Sequence, residues 1–208
     1  MLKSLELFCG TKSFSKCFPG DTLTLDIDEK VNPDICIDIL QFRYKQFPIG
    51  YFDIIWASPD CCEYSTCLTT RPRNLSLADS LVQKTLEIIN YLQPKYWCIE
   101  NPYTGLLKTR EFMKPLQKYM KVVDYCKYGY NYRKRTAIWT NIDWEPRPLC
   151  RKDCGFINNN KHIGHFGTSS ANIGLDQKHS IPPKLIMEIL LPLTQSFQGR
   201  CEVCAPSS

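Results

Sequence analysis

The chain has 208 residues and a formal net charge of +5, with 43% hydrophobic and 23% charged residues. This length and composition are those of a soluble globular protein with a sizeable core. No apolar run approaches the roughly 20 residues that a membrane-spanning helix requires, and Glu6 interrupts the first apolar stretch, which argues against a signal peptide. We therefore expect an intracellular protein that is not secreted and has no membrane partner, with its compartment and oligomeric state left open.

Strand-like and helix-like patterns alternate along the chain. The first half predicts strands at 5–9, 22–27, 34–39 and 52–57, with a turn into a short helix at 10–15. An amphipathic helix follows at 76–92, a strand at 96–99 and a helix at 110–119. The patterns then predict strands at 122–128 and 136–140, an irregular stretch at 146–179 and a final helix at 184–191.

This alternation predicts an α/β fold with a doubly wound, mostly parallel sheet. The last two predicted strands form an antiparallel hairpin at one edge, which is typical of adenosylmethionine-dependent methyltransferases. We divide the chain into a catalytic, cofactor-binding domain (1–141), a short irregular segment that could recognise a target (142–180), and a C-terminal helix with a Cys-x2-Cys tail (181–208) that packs back on the first domain.

Positive charge is concentrated in residues 108–152, which hold 12 lysines and arginines against four acids. This segment therefore carries +8, and the rest of the chain sums to −3. Tyrosines and tryptophans are interleaved with the cations, a composition that suits a nucleic acid whose bases can be stacked or held. A solvated basic face is the alternative interpretation.

A glycine follows the first predicted strand directly, in Phe8-Cys9-Gly10. Glycine permits a tight turn and a close approach of the backbone to a ligand. Asp26 and Asp38 lie near the ends of the next two predicted strands. An acid at the end of the second strand is well placed to hold the hydroxyl pair of a ribose.

A thiol and a carboxyl follow two further strands, in Pro59-Asp60-Cys61-Cys62 and in Glu100-Asn101-Pro102. In open α/β sheets, chemistry is found at the carboxyl ends of the strands. A cysteine there can act as a nucleophile once it is a thiolate, and a carboxyl beside it can handle a proton. The residues alone leave open which of Cys61, Cys62 and Cys67 reacts, and whether these thiols are structural.

The 12 cysteines are interpreted mainly as reduced thiols, because several lie in apolar strand-like runs. One group has approximately the spacing of a zinc site. Its candidate ligands are Cys150, Cys154, His162 and His165, with Cys201 and Cys204 as a second pair. Free thiols and surface histidines are the alternative.

Four motifs together resemble those of the DNA (cytosine-5) methyltransferases, and they occur in that family's order. Phe8-Cys9-Gly10 resembles its Phe-x-Gly-x-Gly start, and Pro-Asp-Cys-Cys-Glu-Tyr-Ser at 59–65 resembles its Pro-Cys-Gln loop. Glu-Asn-Pro at 100–102 resembles its Glu-Asn-Val, and the alternating Asn131, Arg133 and Arg135 resemble its Gln-x-Arg-x-Arg segment. The similarity covers about residues 4–141, and compact versions from phages and large viruses are the most similar.

The resemblance implies a role for each matching residue. Cys61 corresponds to the nucleophile that adds to C6 of a flipped-out cytosine, and Glu100 would bind the exocyclic amine and the protonated N3. Arg135 would hold O2 of the base, and Arg133 would position Cys61 or a phosphate.

The resemblance also implies S-adenosylmethionine as cofactor and DNA as partner. Eight residues would bind the cofactor: Phe8, Gly10, Thr11, Asp26, Ile27, Asp38, Ile39 and Pro59. Three would contact the substrate: Ser65, Asn101 and Asn131.

Several residues depart from the family pattern. Lys12 replaces the second glycine of the first motif, and Asp60 and Cys62 flank the proposed nucleophile. An acid beside Cys61 is expected to raise the pKa of its thiol. Two alternatives therefore stay open: a weakly active or inactive relative that binds nucleic acid or cofactor, and an enzyme that modifies another pyrimidine or a free nucleotide.

Overall fold

The computed structural model describes residues 1–164 and 174–201 of the chain. The strands are β1 (Lys3–Leu7), β2 (Asp21–Asp26), β3 (Ile35–Cys36), β4 (Ile54–Ala57), β5 (Tyr96–Pro102), β6 (Met120–Asp124), β7 (Arg135–Thr140), β8 (Ile157–Asn158) and β9 (Lys161–His162). The α-helices are α1 (Leu75–Leu92), α2 (Leu175–His179) and α3 (Pro183–Cys201). Short 3-10 helices cover Glu29–Val31, Ile39–Gln41, Tyr44–Gln46, Leu107–Thr109, Glu111–Tyr119 and Tyr125–Tyr128.

Seven strands form the main sheet in the order β3-β2-β1-β4-β5-β7-β6. The first five of these in spatial order pair in parallel, whereas β7 runs antiparallel to both β5 and β6. The expectation of a mostly parallel sheet with an antiparallel pair at one edge is confirmed. Because the parallel strands point the same way, the ends of β1, β2, β4 and β5 meet at one edge of the sheet.

Strand β4 shows why the sheet is covered on both faces. All four of its residues are buried, as expected for a central parallel strand. Successive side chains point to opposite faces, so Ile54 and Trp56 pack in one cluster while Ile55 and Ala57 pack in another.

Different helices cover the two faces. Leu185, Ile186 and Ile189 of α3 pack in the cluster that contains Trp56. Ile88 and Leu92 of α1 pack in the cluster that contains Ile55 and Ala57. The side chain of Asn74 caps α1 by accepting a hydrogen bond from the amide of Leu77, which fixes where the helix begins.

The predicted strand at 34–39 forms only at Ile35–Cys36, and three other local predictions were wrong. The predicted helix at 110–119 is a 3-10 helix, Glu111–Tyr119, since Pro115 lacks an amide donor and crowds the preceding turn of an α-helix. The predicted strand at 122–128 ends at Asp124 and continues as the 3-10 helix Tyr125–Tyr128, which Gly129 closes with a φ of 101°. The turn at 10–15 does not continue into a helix.

Residues from all three predicted segments contribute to one core cluster, as Ile138, Trp144 and Leu185 show. The boundaries at 142 and 181 stay predictions. Across residues 1–164 and 174–201, no helix combines the length and apolarity required to cross a membrane.

Candidate active site

A cleft of about 540 Å³ lies at the carboxyl edge of the parallel strands. Such a volume is within the range of small-molecule binding sites. The cleft brings together residues that are far apart in sequence: Glu6, Phe8, Cys9, Gly10, Thr11, Ser13, Asp26, Ile27, Asp28, Ser58, Pro59, Asp60, Cys61, Glu100, Pro102, Lys134, His179 and Ile181. It therefore contains the thiol, the carboxyl and most of the residues predicted to bind a cofactor.

Two carboxylates shape the loop after β1. Asp26 accepts a hydrogen bond from the amide of Gly10 at 2.9 Å, and Glu6 accepts from the amides of Phe14 and Ser15 at 3.1 and 3.0 Å. Burial raises the pKa of the Glu6 carboxyl, although these hydrogen bonds oppose the effect. Gly10 has a φ of 43°, so the glycine expected from the sequence occupies a backbone conformation that favours glycine.

Lys12, which replaces the second glycine of the motif, is held in the left-handed region with a φ of 56°. Its ammonium donates a hydrogen bond to the carbonyl of Asn32. The loop thus keeps the conformation that a glycine would adopt, and the lysine connects it to the segment after β2.

The end of β2 presents an apolar side chain and a carboxylate side by side. Ile27 is 69% exposed although it is a large hydrophobic residue, and it lines the cleft. Asp28 lines the cleft next to it. Both oxygens of Asp26 are engaged by backbone amides, those of Gly10 and Asp28. Asp28 is the second acid of this corner; its Oδ1 accepts from the amide of Lys30 at 3.0 Å, and no role was predicted for it from the sequence.

The structure distinguishes the three thiols of the loop after β4. Within the described residues, Cys61 lines the cleft, whereas Cys62 and Cys67 are exposed and do not. Burial raises the pKa of the Cys61 thiol, Glu100 and Asp60 raise it further, and Lys134 opposes them. Cys61 therefore lies near two carboxylates and one ammonium, whose effects on its pKa oppose each other. Because the net effect raises the pKa, the thiol is mostly protonated at neutral pH.

Glu100 is buried in β5, with 6% of its surface exposed. The hydroxyl of Tyr125 donates to its Oε1 at 3.0 Å, and Nζ of Lys134 lies 3.8 Å from the same oxygen. The Lys134 ammonium also lies 5.2 Å from the centre of the Tyr125 ring. Neither partner of Glu100 was predicted from the sequence. Tyr125 follows the edge strand β6, and Lys134 lies between the two arginines to which the resemblance gave roles.

Asn101 connects the two strand ends that supply the thiol and the carboxyl. It is buried in β5, and its Nδ2 donates to the carbonyl of Pro59 at 2.9 Å. The substrate contact of Asn101 stays a prediction: its Nδ2 joins the β4 loop to β5, and its Oδ1 is buried with no hydrogen-bond partner among the described residues. The Nδ2 contact positions Pro59 and the following thiol loop.

The three alternating polar residues do not meet at the cleft. Arg135 makes a two-pronged ion pair with the buried Asp124, at 3.0 and 2.9 Å. Arg133 is exposed, and Oδ1 of Asn131 is buried. The expected alternation fails because β7 begins only at Arg135, so residues 131–134 are not a regular strand. In the described structure, Lys134 is the cation of this segment that lines the cleft.

Three other predicted site residues lie away from the described cleft lining. Asp38 caps the 3-10 helix Ile39–Gln41 by accepting from the amide of Leu40, and Ile39 packs in the core. Oγ of Ser65 accepts from the amide of Cys67 at 3.2 Å within the thiol loop. Of the zinc candidates, Cys150, Cys154 and His162 are close together, and His165 lies outside the described residues.

The positive segment 108–152 is largely neutralised within the fold. Seven of its twelve cations form ion pairs: Arg110, Lys114, Lys121, Lys127, Lys134, Arg135 and Arg147. Four of the partners, Asp79, Glu100, Asp153 and Glu188, come from outside the segment. The charge count along the sequence therefore overstates the cationic surface that is available to a polyanion.

The surroundings of Cys61 predict a pH effect. Replacing Asp60 with asparagine removes a negative charge that raises the pKa of Cys61, so the pKa falls and more thiolate is present at neutral pH. Because Asp60 is exposed and screened, we expect only an about two- to fivefold faster alkylation of Cys61 at neutral pH, and a smaller effect in high salt. The measurement is the rate of iodoacetamide labelling at Cys61, followed by mass spectrometry across pH. Asp143→Asn, an exposed acid elsewhere, is the control, and an unchanged pH profile in Asp60→Asn would contradict the effect.

The strand order and the cleft at the ends of the parallel strands define the class as an α/β methyltransferase fold. A crystal structure described as a DNA modification methyltransferase encoded within a prophage of E. coli shares this fold, with a TM-score of 0.51. That match has 13% sequence identity and covers 72% of this chain and 52% of the other. No family model matches the sequence.

A curated relative is closer in sequence. It is named a probable DNA (cytosine-5)-methyltransferase, comes from Frog virus 3 (isolate Goorha), and is 30% identical over 215 residues. The alignment covers 91% of this chain and 99% of the relative. The chain belongs to the DNA (cytosine-5)-methyltransferase family.

Proposed function

We propose that this protein transfers a methyl group from S-adenosylmethionine to C5 of cytosine in DNA, through a covalent bond between Cys61 and C6. The observation that carries the proposal is the meeting of Cys61, Glu100 and Lys134 in one cleft with the loop of Gly10. A protein that only binds nucleic acid has no need to place a thiol beside a buried carboxyl.

The residues at the ends of β1 and β2 fit the proposed cofactor. Ile27 offers an exposed apolar surface to a flat ring, and Asp28 presents a carboxylate to which ribose hydroxyls can donate. Gly10 and Thr11 leave the backbone of the first loop open to the cleft. When bound, S-adenosylmethionine supplies the electrophilic methyl group that C5 accepts.

Cys61 activates the base. The thiol first gives its proton to solvent water, and the thiolate then adds to C6, which forms an S–C6 bond and moves the electron pair of the C5–C6 double bond to C5. After methylation of C5, solvent water takes the C5 proton, the electron pair of that C–H bond re-forms the C5–C6 double bond, and the S–C6 bond breaks to return the thiolate. The target base must first leave the stack, because C6 is not accessible within a duplex.

Glu100 and its partners handle the proton at N3. A carboxyl at this position can hold the exocyclic amine and the protonated N3, which withdraws electrons from the ring as Cys61 adds. Tyr125 and Lys134 fix the Glu100 carboxyl through contacts at 3.0 and 3.8 Å. Lys134 also lowers the pKa of Cys61, so the same cation favours the reactive thiolate.

We assign Lys134 the position at the cleft that the resemblance had given to an arginine. Arg135 forms an ion pair with Asp124, which supports a structural role for that guanidinium. Arg133 is exposed next to Lys134 and is placed to contact a phosphate of the substrate.

The test is transfer of labelled methyl from S-adenosylmethionine to cytosine-containing DNA, with the product identified by nucleoside analysis. Label recovered as 5-methylcytosine is the expected result. Transfer to cytidine nucleotides and not to DNA would show that the substrate is a free nucleotide. This comparison is necessary because most cations of the basic segment are paired with acids of the same chain. Absence of transfer from a folded protein that binds the cofactor would contradict catalysis and favour a binding role.

A further inference from the structure

A cluster of metal-ligating side chains lies outside the proposed active site. Its four members are Cys126, Cys150, Cys154 and His162. Their ligand atoms all lie within 4.8 Å of one another, and Sγ of Cys150 is 3.5 Å from Nε2 of His162. Cys126 and Cys150 are buried, and the four side chains come from three separate parts of the chain.

The backbone around the cluster has the form of a metal-binding loop. The amide of Lys152 donates a hydrogen bond to Sγ of Cys150 at 3.3 Å, the kind of contact that orients a metal-ligating side chain. Lys152 and Gly155 have left-handed φ values of 71° and 80°, so the chain curls around Cys150 and Cys154. His162 is carried on the two-stranded ribbon of β8 and β9.

The segment that carries three of the ligands has almost no core of its own. Between residues 145 and 164, which we call the arm, only Cys150 and Gly164 are buried. A segment of this size that buries so little apolar surface needs a cross-link or a metal ion to hold a defined shape. The three cysteines of the cluster are free thiols, so no disulfide supplies that cross-link.

We propose that these four side chains bind a structural zinc ion. Three sulfurs and one imidazole nitrogen form a closed set of four, which is a common ligand set of structural zinc and leaves no position for catalysis. The spacing of the arm predicted a zinc site, and among the described residues Cys126, 24 residues before Cys150, completes the set of four; His165 lies outside the described residues.

The ion would fasten the arm to the end of β6, next to the active site. Cys126 follows Tyr125, whose hydroxyl donates to Glu100. Asp124, on the other side of Tyr125, accepts hydrogen bonds from the amide of Cys150 at 3.0 Å and from Arg135. Binding of the ion would therefore hold Tyr125 in place from both of its neighbours.

The test is to purify the full chain without a histidine tag and to measure its metal content by inductively coupled plasma mass spectrometry. We expect about one zinc per chain in the wild type, and less than roughly 0.2 in Cys154→Ser and His162→Ala. Cys36→Ser, which changes an exposed thiol remote from the cluster, should keep its zinc. His165→Ala should also keep it, which separates the two histidines.

Cobalt provides a second measurement that does not depend on the variants being stable. Wild-type protein reconstituted with cobalt should show the intense visible absorption of a tetrahedral thiolate complex. A folded wild type without zinc, with iron in its place, or with zinc retained in Cys154→Ser would overturn the proposal. Because metal content is measured without DNA or methyl donor, its outcome is independent of the proposed methyl transfer.

Discussion

Replacing Cys61 with serine is expected to reduce methyl transfer by about a thousandfold or more, because a serine hydroxyl at the same position is a far weaker nucleophile toward C6. Cofactor binding should remain close to that of the wild type, since the Gly10 loop and Ile27 are unchanged. The measurement compares labelled methyl transfer with binding of S-adenosylmethionine by calorimetry. The wild type should form a covalent link to DNA that contains 5-fluorocytosine, and this link should survive denaturation. Cys61→Ser should not form it.

Two matched variants control for the loss of a thiol from this loop. Cys62→Ser and Cys67→Ser alter exposed cysteines that do not line the described cleft, and they should keep most of the activity. Turnover that survives in Cys61→Ser and disappears in either of these variants would show that another thiol is the nucleophile.

Replacing Glu100 with glutamine is expected to lower the rate of methyl transfer by about 10²- to 10⁴-fold, the usual contribution of a positioned acid or base. Glutamine keeps the volume of the buried side chain, but its amide cannot take up and release the proton at N3. It also leaves the nearby Lys134 without a negative partner in a site that is largely buried. Single-turnover methylation measures the effect.

The same substitution should have the opposite effect on the thiol. Glu100 raises the pKa of Cys61 more than Asp60 does, so Glu100→Gln should lower that pKa and accelerate alkylation of Cys61 at neutral pH. Glu145→Gln, whose side chain is 90% exposed, is the control for both measurements. A near-normal methylation rate in Glu100→Gln would remove Glu100 from the proposed chemistry.

The proposed zinc site bears on these results because it lies one residue from Tyr125. If the ion holds the arm against β6, its removal should weaken the contact between Tyr125 and Glu100 and reduce activity indirectly. Variants of the cluster therefore require their metal content to be known before their activity is interpreted. Glu100→Gln should keep its zinc, which separates the two effects.

Local sequence patterns predicted the elements whose residues are fixed by burial and capping. The apolar run before Ala57 marked β4, and the spacing of leucines and isoleucines marked α1 to within one residue of its start. Those patterns failed at Tyr125–Tyr128, where an apolar run turns away from the sheet after Asp124. The alternation of apolar and polar residues cannot detect such a turn, because the turn depends on the partners of Asp124 elsewhere in the chain.

The sequence by itself determined the fold class and the order of the chemical residues along the strands. Gly10, Cys61 and Glu100 each follow or end an apolar strand, and parallel pairing necessarily places such positions at one edge. Only the tertiary structure decided which neighbours they meet. It placed Lys134 beside Glu100, paired Arg135 with Asp124, and brought Cys126 to the thiols of the arm. Ion pairs and metal ligands depend on distances between segments remote in sequence, and local periodicity contains no information about those distances.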